Sequence, residues 1–199
     1  MQIKIRNHKI CHRIWLSLLF FCLSLPVSSG NASLLRQDLL RIHASIMPKT
    51  VFMDYDFKKR LVNGKIAVCI LSKQNDIPQA RELARYINKL YSNGINGFKI
   101  TTNVVSYQKF IKSSCPGATI FYILPAGRHI MEQAINKIGK SGIIFTYSPR
   151  YLKYGAHVSL KIKYRVKPVI NLEALKKSGI SLRPALLRIS DLYSSDRKL

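Results

Sequence analysis

Between Lys65 and Tyr147 the chain alternates two apolar patterns. Ile66-Ala67-Val68-Cys69-Ile70-Leu71 is a continuous apolar run, as expected of a strand covered on both faces. Ala80, Leu83, Ala84, Ile87, Leu90 and Tyr91 then recur at i, i+3, i+4 and i+7, the stripe of an amphipathic helix. Its start reads Asp76-Ile77-Pro78-Gln79, where Asp is expected to cap and Pro to occupy the first turn. The unit repeats, with a short strand from Phe98 to Asn103 before a helix from Val105 to Ser113. A strand from Ala118 to Leu124 precedes a helix through Ile130, Ala134, Ile135 and Ile138, and Gly142 to Tyr147 is a fourth strand. Strands and helices alternating at this spacing predict right-handed βαβ units. The expected fold is three-layer α/β: a mostly parallel sheet of about five to six strands with helices on both faces.

The flanks read differently. Ser33 to Met47 places Leu35, Leu39, Ile42 and Ile46 at helical spacing, and Pro48 closes that helix. A mixed stretch with one short helix follows, up to a turn at Asn63-Gly64. After Gly155, residues 157–163 alternate strictly, as a half-exposed strand near a sheet edge does. Lys161, Lys163 and Arg165 share parity with His157 and Ser159, which predicts one outward face for all five. Val166-Lys167-Pro168-Val169-Ile170 is expected to pair with this strand as an antiparallel edge, the place where Pro168 is tolerated. Asn171 suits an N-cap for Leu172 to Lys177, Gly179 a stop, and Leu182, Leu186, Ile189 and Tyr193 the stripe of a last helix.

The first thirty residues change the picture. Lys4, Arg6, Lys9 and Arg13 precede a short apolar run from Ile14 to Leu25, and small residues close the segment at Ser28, Ser29 and Gly30. These are the parts of a cleaved secretory signal peptide, with an apolar core shorter than the roughly twenty residues of a spanning helix. The expected organisation is a leader over 1–30, an N-terminal helical segment over 31–64 packing on the domain, and a single α/β domain over 65–199. The leader implies export from the cytoplasm.

Charge then acquires a narrower meaning. The chain carries 33 Lys+Arg and 9 Asp+Glu, a net +24. Loss of the leader's four cations leaves 29 against 9, or +20. Such an excess ordinarily points to nucleic acid, but an exported protein meets little of it. The expected electrostatic partners are an acidic protein face or the anionic membrane surface. Lys161, Lys163, Arg165 and Lys167 form the candidate docking surface, with protection of an exposed edge strand as the competing role.

No catalytic constellation stands out. Ser106-Tyr107-Gln108-Lys109 matches Ser-x-x-Lys without the companion motifs that the chemistry needs. Gly139-Lys140-Ser141 ends like a phosphate loop but precedes a strand. His43, His129 and His157 lack neighbouring carboxylates or thiols, and Asp54 and Asp56 read as solvated or capping. His129, at a strand-to-helix turn, is placed where α/β sheets line a ligand crevice, although a solvated helix-start histidine is the simpler reading. No enzyme activity, cofactor or metal is expected. The mature chain keeps two cysteines, Cys69 in the first strand and Cys115 just before its neighbour. They read equally as a disulfide closing 46 residues or as two free thiols.

One constellation is more specific. Tyr151 and Gly155 lead into Val158-Ser159-Leu160-Lys161-Ile162, then Val166-Lys167-Pro168-Val169-Ile170-Asn171, then Gly179-Ile180-Ser181-Leu182 with Leu186-Leu187-Arg188-Ile189. In this order they resemble the YfiR/HmsC-like family of periplasmic proteins, over about Lys65 to Tyr193. Gly155, Ile170, Asn171, Gly179, Leu186 and Leu187 match the family's structural motif. The chain departs from it at Lys167-Pro168, where an aromatic is more usual before Ile-Asn, and at Ala156, where a second glycine is common. The resemblance implies a non-enzymatic periplasmic regulator that binds and restrains the sensor domain of an inner-membrane signalling protein, typically a diguanylate cyclase that makes cyclic di-GMP. It also implies a homodimer and a Cys69–Cys115 disulfide. The alternative is a periplasmic small-ligand binding protein that uses a crevice at the strand ends.

Overall fold

A computed structural model describes residues 30–113, 115 and 117–194, with side chains from Arg36 onward. The expected leader lies outside the described residues except for Gly30, the first residue of helix α1 (Gly30–Ile46). Contacts divide the chain into two compact units, residues 1–37 and 38–199, so residues 38–64 belong to one unit with all that follows. Among the described residues no helix is long and apolar enough to cross a membrane.

Seven strands form one sheet in the order β2-β1-β3-β4-β5-β6-β7. They are β1 (Ile66–Ser72), β2 (Ile100–Ser106), β3 (Ile120–Ile123), β4 (Ile143–Thr146), β5 (Val158–Ile162), β6 (Val166–Ile170) and β7 (Asp191–Leu192). The first five run parallel, β6 is antiparallel to β5, and β7 is parallel to β6. This is the expected three-layer α/β architecture with an antiparallel pair near the C-terminus.

The layers follow from side-chain alternation. On β1, Ile66, Val68 and Ile70 join one core with Leu40 and Ala44 of α1 and Leu83 and Ile87 of α2 (Ile77–Leu90). Cys69 and Leu71 enter the opposite core with Phe110 of α3 (Tyr107–Ser113) and Met131 and Ala134 of α4 (Arg128–Ile138). A strand buried on both faces has no polar face to show, and for that reason its sequence is a continuous apolar run.

Several local expectations change. The stretch after α1 forms two 3-10 turns, Met47–Met53 and Phe57–Arg60, where one short helix was expected. Asp76 does not cap α2: its carboxylate lies 3.4 Å from Lys73 Nζ and no side-chain cap bond forms. β5 shows no outward face at its start, because His157 bonds Ile144 and Ser178 and Ser159 bonds the Thr146 carbonyl. His157 and Ser159, expected outside with the lysines, are buried. The last helix, α6 (Pro184–Ile189), stops short, so Ile189 is exposed and Tyr193 follows strand β7. Pro168 sits opposite Leu160, and β7 pairs only with Val169 and Ile170, so β6 accommodates the proline beyond the end of that last ladder.

Candidate functional site

The residues that carry the family resemblance form one structural module at the far end of the sheet. Gly155 ends the 3-10 turn Pro149–Tyr154 at φ 97, a conformation that strains any other residue. Ile170 is fully buried, and Asn171 caps α5 (Leu172–Lys177) by accepting the Ala174 N–H at 3.0 Å. The Asn171 amide also donates to the Leu152 carbonyl at 3.0 Å, tying β6 to the turn before β5. Gly179, at φ 64, closes α5: its N–H reaches Lys176 O and that of Ile180 reaches Leu175 O, the paired bonds of a Schellman ending. Leu186 is buried and Leu187 packs partly buried against the same core.

His157 holds this module together. The Ile144 N–H donates to His157 Nδ1 at 2.9 Å, which leaves the neutral ring's proton on Nε2, 2.8 Å from Ser178 Oγ. Ser178 in turn lies 3.5 Å from the Gly139 carbonyl. Burial, reinforced by the Arg60 charge, lowers the histidine's pKa to about 4. Above this relay lies a cleft of about 550 Å³, bordered by Ile144, Gly155 and Asn171 with Lys140, Lys153 and Lys177 among its lining residues. It opens at the amino ends of β4 and β5, away from the crevice that His129 marks. His129 is exposed and hydrogen-bonds Gln133 of its own helix at 3.1 Å.

A second network pins the turns after α1 to this module. The Asp54 carboxylate is fully buried and accepts from Arg60 Nε at 2.5 Å and from the Asp56 N–H at 3.1 Å. The same guanidinium donates to Gly179 O at 3.0 Å and to Lys140 O at 3.3 Å. Asp54 is therefore half of a buried ion pair, whereas Asp56 pairs with Lys59 at the surface. The serine of the Ser-x-x-Lys match serves the backbone: Ser106 Oγ accepts the Lys109 N–H at 3.2 Å as α3 begins.

The basic strip divides in two. Lys161 and Lys167 face each other across the β5–β6 ladder and share Asp191 of β7, at 3.3 and 3.4 Å. Both lysines hold the Asp191 carboxyl below its ordinary pKa, Lys161 more strongly. Lys163 and Arg165 flank Tyr164 at the hairpin tip and make no ion pair among the described residues.

Cys69 and Cys115 are brought together as buried, unbridged thiols. Asn103 Nδ2 approaches Cys115 Sγ at 3.6 Å. The neighbouring Cys115 thiol and burial push the Cys69 thiol up, while Cys69 draws Cys115 down. Among the described residues no group of three or more His, Cys, Asp or Glu could hold a metal ion.

The class that these features define is a three-layer α/β domain with an antiparallel C-terminal extension. No protein-family profile and no curated protein matches the chain. Among solved structures it is similar to a conserved domain protein from Vibrio cholerae O1 biovar El Tor, at 14% identity and a TM-score of 0.50, covering 78% of this chain and 60% of that one. It is also similar to an ABC domain in complex with L-Trp from Streptococcus pneumoniae, at 14% identity and a TM-score of 0.48, covering 73% of this chain and 60% of that one. The chain thus spans 60% of the length of each. At this identity the first likeness establishes the fold alone.

Proposed function

We propose that the chain is an exported, non-enzymatic regulator that binds the periplasmic sensor domain of an inner-membrane signalling protein, a diguanylate cyclase, and restrains it. One observation carries the reading: the residues that resemble the YfiR/HmsC-like family each have a defined duty in one module. Gly155 turns the chain, Asn171 caps and ties, Gly179 closes α5, and Ile170 and Leu186 fill the core. Next to that module the short edge strand β7 and the end of α6 present Leu192 and Ile189 to solvent, an apolar rim that a partner domain can cover. Restraint by contact shifts the partner toward its inactive state by no more than the difference in affinity for the two states.

The direct experiment is capture of the exported protein on an immobilised periplasmic sensor domain of such a cyclase. Retention, weakened by Ile189→Asp or Leu192→Asp, is the expected result, and failure to bind at any salt concentration would overturn the reading. The second reading, a small-ligand binding protein, has the cleft beside Asn171 in its favour. A thermal shift with a metabolite but with no sensor domain would select it.

The cysteine pair belongs to the same proposal. A disulfide exchanger of the periplasm, whose own disulfide takes up the two electrons and two thiol protons, would join Cys69 and Cys115, closing a 46-residue loop and adding roughly 3 to 4 kcal/mol on the chain-entropy model. The expected result is that protein recovered from the periplasm carries no titratable thiol until it is reduced. Two alkylatable thiols in the unreduced protein would remove the bridge from the proposal.

A further inference from the structure

We propose that the β5–β6 hairpin is a docking site for an anionic phospholipid surface, holding a lipid phosphate among Lys161, Lys163, Arg165 and Lys167 and seating Tyr164 at headgroup depth. This goes beyond the regulator reading and rests only on its export, not on the cyclase partner.

The hairpin geometry comes first. Lys161 lies opposite Lys167 and Ile162 opposite Val166, so the chain reverses over Lys163, Tyr164 and Arg165, with the Lys163 N–H donating to Arg165 O at 3.3 Å. The four basic side chains, Tyr164 and Asp191 line a notch of about 210 Å³. Like charges directly opposed on neighbouring strands repel. Asp191 offsets one of the four, and Lys163 and Arg165 have no carboxylate partner among the described residues. A phosphate complements what is left: Arg165 offers a planar fork to two oxygens, and the lysines act as point charges around the others.

The occupant is decided by Tyr164. It stands fully exposed at the tip, beside Val166, which is also exposed. In water a large aromatic ring at a tip gains nothing from burial. At a membrane interface its ring meets the acyl boundary while its hydroxyl stays hydrated. Free phosphate would leave the ring unused, and an acidic protein would need a recess to receive a protruding tip. A headgroup layer accepts the protrusion and the cations together, and the net +20 of the mature chain draws it there.

Flotation of the purified exported protein with phosphatidylcholine vesicles, with and without phosphatidylglycerol, tests the proposal. Binding only to the phosphatidylglycerol vesicles, falling as salt rises, is expected. At about fivefold for each cation near the surface, Lys163→Ala with Arg165→Ala should weaken it roughly 25-fold. Tyr164→Ala should weaken it further without altering the salt slope. Lys109→Ala with Lys112→Ala, which removes two exposed charges from α3, is the control and should stay within about threefold of wild type. Unchanged thermal melting of each variant shows that folding is intact. An equal loss in the α3 pair would overturn the site. So would displacement by inorganic phosphate at matched ionic strength, or binding to polyglutamate and not to vesicles.

Discussion

Replacing Arg60 with alanine is expected to destabilise the protein by about 3 to 5 kcal/mol, because it strands a buried carboxylate. Asp54 is fully buried and Arg60 is its cationic partner; of the donors among the described residues, the Asp56 N–H would remain to it. The change also removes donors to Gly179 O and Lys140 O, leaving the turns after α1 tied to the C-terminal module by the backbone bonds Tyr55 N–H to Ser181 O and Arg183 N–H to Met53 O. Urea unfolding of Arg60→Ala, Asp54→Asn and the double variant Asp54→Asn with Arg60→Met measures this. Most of the loss should return in the double variant, where neither charge remains and the Met stem keeps the packing. A cost below about 1 kcal/mol for Arg60→Ala, the range of an exposed pair, would show that Asp54 is solvated.

Acid is expected to unfold the protein through two buried histidines. His43 and His157 each have a folded-state pKa lowered from 6.5 to about 4, by burial in both cases and additionally by the Arg60 charge at His157. A depressed histidine pKa means that the folded state favours the neutral ring. The associated stability is complete above pH 6.5 and is lost as pH falls from there through 4, because the unfolded chain takes up the protons first. Each ring contributes about 3 kcal/mol to that loss.

Structure explains the resistance to protonation. His157 Nδ1 already accepts the Ile144 N–H, so a proton there would break a buried bond. His43 lies against Tyr147 and Phe145, with Nδ1 2.9 Å from the Tyr122 hydroxyl and Nε2 without a partner among the described residues. Unfolding at pH 5 should be accompanied by uptake of about two protons, and by about one in His43→Phe. Stability that stays level between pH 7 and 5 would exclude this account.

How much of this was legible depends on the range of the interactions. Continuous apolar runs reveal β1, β3 and β4 because burial on both faces leaves no other option, and α2 and α4 follow from their stripes. The two-residue β7 has no periodicity to read, and the spacing of Ile189 and Tyr193 predicts a longer helix than the Pro184–Ile189 turn that forms. The alternation of residues 157–163 was real, but its orientation was not determined locally. Both faces at His157 and Ser159 are covered by elements distant in sequence, and only Lys161 onward reaches the surface. Nor does the interval between Asp54 and Arg60 signal an ion pair, since the 3-10 turn between them sets the geometry. Tyr164 left one clue, as a lone aromatic within a run of cations.

By itself the sequence determined the three-layer parallel architecture, the cap at Asn171 and the stop at Gly179, and the large positive charge. These depend on backbone preference, burial of apolar runs and composition, all of which act locally or additively. Tertiary structure alone decided which polar groups meet: Asp54 with Arg60, His157 with Ser178, Cys69 with Cys115, and Lys161 and Lys167 with Asp191. Such pairs form between segments that chain topology brings together. Their strength comes from removing water around them, which no single segment achieves on its own.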